Sequence, residues 1–79
     1  MNKKEIIKRL REELEQLRQK IMNLKIFLET NKFFDIITNH QKQGELLKLQ
    51  LEAMEQYQNI LISRIALIQD LIDEENGDK

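Results

Sequence analysis

The 79-residue sequence has no cysteine, no proline and no tryptophan, and only two glycines, Gly44 and Gly77. Without cysteine there is no disulfide framework, no thiolate nucleophile and no thiolate metal site. A single histidine, His40, rules out the histidine cluster that holds zinc. Ser63 is the only serine. Along one continuous helix it would stand roughly 35 Å from His40, too far for a nucleophile–base pair within one chain. There is no glycine-rich phosphate loop and no HExxH, and the many carboxylates fall on positions expected to face water. The expectation is a protein that is not an enzyme and holds neither cofactor nor metal. Long apolar runs are missing too. No stretch approaches the ~20 apolar residues of a membrane span. No such run follows the N-terminal lysines, so no signal peptide is expected and a soluble, cytoplasmic protein is.

What is present is charge and aliphatic bulk. With 34% charged and 41% hydrophobic residues, the chain reads as long helices. The net charge of −1 hides a basic first third (Lys3, Lys4, Lys8, Arg9, Arg11 and others) and an acidic end (Asp70, Asp73, Glu74, Glu75, Asp78). The basic residues are interleaved with glutamates, so neither a duplex nucleic acid nor a membrane surface is the expected partner.

Ile7, Leu10, Leu14, Leu17, Ile21, Leu24 and Leu28 form an unbroken seam of alternating three- and four-residue steps. This is the a/d pattern of a helix packed along a partner, and it places helix 1 at about residues 3–29. Ion pairs such as Glu5 with Arg9 each contribute at most about 0.5 kcal/mol, so packing must hold this helix. TNKFFDIITNH follows, rich in turn and cap formers. It reads as a short helical turn at about 32–37, then a capping box at Thr38–Gln41 that starts helix 2 near Asn39. Helix 2 is expected over about 39–73, with a frayed tail at 74–79. Gly44 falls in its second turn, at a cost of about 1 kcal/mol relative to alanine. His40 is expected exposed, and Met22 and Met54 are expected to pack.

Helix 2 carries two stripes. Leu47, Leu51, Met54, Leu61, Ile65, Ile68 and Ile72 form one, interrupted by Gln58. The other lies one residue behind: Leu46, Gln50, Ala53, Tyr57, Ile60, Arg64, Leu67 and Leu71. Helix 1 can cover only one of them. A chain this short has little core of its own, so a second copy is the natural cover for the other. The expected fold is all-α: an antiparallel hairpin of two long helices with a short helical turn between them, in a single domain over 1–79 and assembled as a homo-oligomer. An extended two-stranded coiled coil is the structural rival.

Gln50, Tyr57 and Arg64 recur every seven residues and so stack in one column beside the apolar seam. Two readings stand. The three side chains reach their polar tips out of an interface or bond across it. Alternatively, they line a polar pocket where subunits meet. Arginine offers a planar donor fork for phosphate, tyrosine a ring for stacking a base, and glutamine an amide for a base edge. Such a compact set suits a small anionic nucleotide better than a polymer.

The string ELLKLQLEAMEQYQNILISRI, preceded by ELEQLRQKIMNLKIFLE, resembles a family of short helical phage proteins found in crAss-like phages among others, akin to the anti-CBASS sponge proteins. The resemblance covers about residues 9–68, and its most specific part is QLEAM followed by Tyr57 and Arg64-Ile65. It implies a homohexamer in the bacterial host cytoplasm that sequesters cyclic di- or trinucleotide messengers without cleaving them. Arg64 would contact the ligand's phosphates, with Tyr57 and Gln50 beside it, and Lys20, aided by Arg9, would serve a second pocket. One position departs from the pattern. Where the sponge proteins have an N-terminal aromatic that stacks on a base, this chain has Ile6 and Ile7. A nucleotide signal of another defence system, such as Thoeris, is a further candidate ligand. The alternative function is a small coiled-coil protein–protein interaction module or a phage inhibitor of a host protein.

Overall fold

A computed structural model describes residues 2–30, 34 and 38–77. Two helices dominate it: α1 (Lys3–Leu28) and α2 (Gln41–Gly77). They pack side by side in a rod of 63 × 19 × 15 Å. Lys3 bonds Glu75 at one end, and Lys25 Nζ lies 3.7 Å from Glu55 Oε2 towards the other, so the helices run antiparallel. This is the hairpin, not the extended coiled coil. No helix among the described residues is long and apolar enough to cross a membrane.

The start of α1 is set by Asn2. Its backbone is extended (φ −82°, ψ 166°) and its side chain accepts from the Glu5 N–H at 2.8 Å. That satisfies one of the four N–H groups a helix start leaves unpaired. Glu5 in the first turn and Lys25 in the last suit the helix dipole. Asn2→Ala is therefore expected to cost about 1 kcal/mol and to lower the melting temperature by roughly 5 °C in a thermal unfolding scan. At its far end α1 tightens. The Glu29 and Thr30 N–H groups donate to the Ile26 and Phe27 carbonyls, and the Thr30 hydroxyl donates to the Phe27 carbonyl at 2.6 Å.

The core is the seam. Leu10, Leu14, Leu17 and Ile21 of α1 form one buried cluster with Leu61 of α2, which is fully buried. Ile6, Leu51, Met54, Ile65 and Ile68 pack against this cluster half-buried, and Ile7 and Ile72 are also buried. Gln58 is half-buried where the seam carries an amide, and Gly44 is buried in the first turn of α2, since that helix starts later than the expected Asn39.

Several local expectations need correction. Met22 does not pack within the chain and is 56% exposed. It lies one residue past Ile21, off the single stripe that one partner helix covers. Thr38 is not a cap, because its hydroxyl donates back to the Phe34 carbonyl at 2.9 Å. Threonine hydroxyls bond the carbonyl four residues earlier as readily as they cap. The first backbone bonds of α2 instead run from Gln43 and Gly44 to the His40 carbonyl, so α2 begins at Gln41. The expected short turn at 32–37 lies outside the described residues except Phe34, whose N–H donates to the Thr30 carbonyl at 3.2 Å. Finally, α2 continues through Gly77 rather than fraying from Glu74. Buried Ile72, the Gln69–Asp73 bond at 3.2 Å and the Lys3–Glu75 contact hold the last turns.

Candidate functional site

The second stripe of α2 stays bare in the folded chain. Leu46 (59%), Ile60 (54%) and Leu67 (62%) are exposed, and Leu71 and Tyr57 are close to 40% exposed. α1 covers one stripe of α2 and leaves the other facing water, as the spacing of the two stripes requires. An apolar strip of this length exposed on a helical rod marks a surface meant to be covered.

The polar column runs along this bare strip. Arg64, Tyr57 and Gln50 are all exposed on α2, and Lys20 and Arg9 are exposed on α1. Tyr57 and Arg64 stand two helical turns apart on one face, roughly 10 Å along the axis. Arg64 lines a shallow open groove with Asn59, Ile60, Ser63 and Leu67. The groove walls mix apolar Ile60 and Leu67 with polar Asn59 and Ser63, and the exposed guanidinium offers a donor fork suited to an anion. The Gln50 amide is directed at the Met54 sulfur, 3.8 Å away.

The column does not stand free of α1. The Tyr57 hydroxyl donates to Glu13 Oε1. Glu13 was not legible as a site residue, because the helix periodicity of α1 places it on an ordinary solvated edge. Only the register of the hairpin brings it under Tyr57. That contact also orders the rest of the edge: one heptad further along each helix, on the same side, come Gln50 on α2 and Lys20 on α1. Arg9 lies one turn before Glu13 on α1. The five candidates therefore share one edge and one face of the rod, although only Tyr57 is tied across it.

The bond to Glu13 holds the Tyr57 hydroxyl above its ordinary pKa of 10.0. Partial desolvation and the glutamate's charge act the same way, and the Arg64 charge opposes them. The folded-state value is raised, so this contribution to stability is complete below pH ~10 and is lost as pH climbs through the folded value. Tyr57 is the only tyrosine and there is no tryptophan, so its ionisation can be followed alone by ultraviolet absorbance. The titration should run above the ordinary tyrosine range, and Glu13→Gln should bring it down. A titration unchanged by Glu13→Gln would mean the contact is not populated in solution.

A second groove crosses the opposite edge, where Arg11, Glu15 and Arg18 of α1 border Leu14, Ile62 and Ile65. A third lies nearby, with Met22, Ile26 and Gln58 among its walls.

Comparison with known proteins places most of the chain in a family. A family model described as Sequestin matches residues 4–67, a span that contains all five candidate residues. No curated protein matches, and no solved structure does.

Proposed function

The chain belongs to the Sequestin family, and on that footing we propose that it is a non-enzymatic phage anti-defence protein that binds and sequesters cyclic oligonucleotide immune messengers. The family name describes sequestration, and the resemblance of QLEAM, Tyr57 and Arg64-Ile65 to the anti-CBASS sponge proteins supplies the ligand class. In this reading the protein acts in the host cytoplasm as a homo-oligomer, a hexamer in the proteins it resembles. Arg64 grips a phosphate, Tyr57 and Gln50 meet the base and sugar, and Lys20 with Arg9 serves a second pocket.

The observation that carries the reading is the exposed guanidinium of Arg64 between bare Ile60 and Leu67, in line with an exposed Tyr57 ring. A phosphate needs the donor fork and a base needs the ring, and two turns of helix separate them by about the length of a nucleotide. The bare apolar strip also favours a second reading, a coiled-coil interaction module or an inhibitor that docks on a host protein.

A thermal-shift screen against cyclic di- and trinucleotides, with linear mono- and dinucleotides as controls, separates the two. A ligand of the native state present at a hundredfold excess over its Kd stabilises by about 2.7 kcal/mol, on the order of 10 °C for a chain of this size. A shift for cyclic compounds alone supports sequestration. No shift with any nucleotide rejects it in favour of docking.

A further inference from the structure

We propose that the bare face of α2 pairs antiparallel with the same face of a second copy, so that each Arg64 site is completed by Gln50 of the partner subunit. The ligand in this proposal rests on the sequestration reading, but the pairing does not.

From Leu46 to Leu71 the outer stripe steps four, three, four, three without a break, a second heptad seam offset by one residue from the one α1 covers. It is bare over its whole length in the folded chain. Antiparallel heptad helices stack each a position against a partner d position. One register alone pairs every member of this seam. It sets Leu46 against Leu71 at both ends and Tyr57 against Ile60 around the two-fold axis. Between them fall Gln50 against Leu67, and Ala53 against Arg64. A shift by one heptad leaves residues at both ends facing nothing.

Two further features favour this arrangement. Ala53, the smallest member of the seam, faces the longest, Arg64, and the missing side-chain volume leaves room beside the guanidinium. Gln50 of the partner subunit lies one turn from that space. The charges also match. Asp70, Asp73 and Glu74 lie towards the C-terminal end of α2, which the antiparallel register lays beside the end carrying Lys42. A parallel pair would stack Arg64 on Arg64 and acid on acid, with the repulsion that follows. The antiparallel pair is isologous and closes as a dimer, which can serve as a unit of a larger ring.

The test uses two single-cysteine variants of the full chain, which has no cysteine of its own. Both positions are exposed, so the hairpin core is untouched, and circular dichroism checks the helix content. Leu46→Cys and Leu71→Cys, mixed and oxidised, should form the mixed disulfide and little of either homodisulfide. A Leu46→Cys homodisulfide as the main product, or no cross-link, overturns the pairing. The composite site is tested by mixing Arg64→Ala with Gln50→Ala and measuring binding of cyclic di-AMP and cyclic tri-AMP. Each variant alone should bind poorly. A random mixture should recover about a quarter of the unmodified capacity, because half the dimers then hold one intact site. No recovery means that both residues act within one chain and the composite site is wrong. If the unmodified protein binds neither compound, the composite site falls with the sequestration reading, and the disulfide pattern still decides the pairing.

Discussion

Leu61→Ala is expected to unfold the hairpin or bring it to the edge of unfolding. Leu61 is the one side chain among the described residues with no exposed surface, and it belongs to one core cluster with the buried α1 side chains. Truncating a buried leucine removes its transfer free energy and leaves a cavity, together about 3 kcal/mol. A chain of this size holds only a few kcal/mol in total, because its core is so small. Urea unfolding followed by circular dichroism measures the loss directly. Leu67→Ala is the control. It removes the same atoms from an exposed position of the same helix, so in a dilute single copy it should cost little. Equal losses from the two variants would mean that α1 does not cover the stripe through Leu61.

Under the proposed sequestration, Arg64→Ala is expected to leave the helices and the proposed assembly intact and to weaken binding of a cyclic oligonucleotide by about 2 kcal/mol, roughly thirtyfold, the scale of a lost charge-assisted contact. Isothermal titration gives the affinity, and light scattering shows whether the assembly mass is unchanged. Unaltered affinity would remove Arg64 from the site. The same variant carries an internal check. The Arg64 charge pulls the Tyr57 pKa down against Glu13, so its removal should let the tyrosine titrate higher still. That shift reports on the geometry of the column whether or not a ligand is present.

The sequence spoke clearly where one period governed the outcome. The three-four spacing from Ile7 to Ile21 became the buried seam, and the stripe one residue behind on α2 came out bare. It failed where two elements had to meet before a residue gained meaning. Glu13 sits on an edge like any other charged position until the register of the hairpin sets it under Tyr57. Met22 is apolar in type but stands off the covered stripe, and angular position decides its exposure. Thr38 has the composition of a cap, and composition does not show whether the hydroxyl accepts from the helix ahead or donates to the turn behind. The acidic end of α2 opposes the helix dipole and so argues for fraying. Ile72 and Lys3 overrule it through contacts that no local pattern encodes.

The bare strip of α2 has a consequence for dosage. A single folded copy leaves large aliphatic side chains in water, and under the proposed pairing its stability depends on how many other copies surround it. By mass action, whatever covers the strip only in the native state makes the melting point climb with protein concentration. A chain newly made and still scarce is then at its most fragile. In that pairing, accumulation would make it harder to unfold and harder for proteases to reach, as the proposed sequestration, which works by outnumbering its ligand, requires.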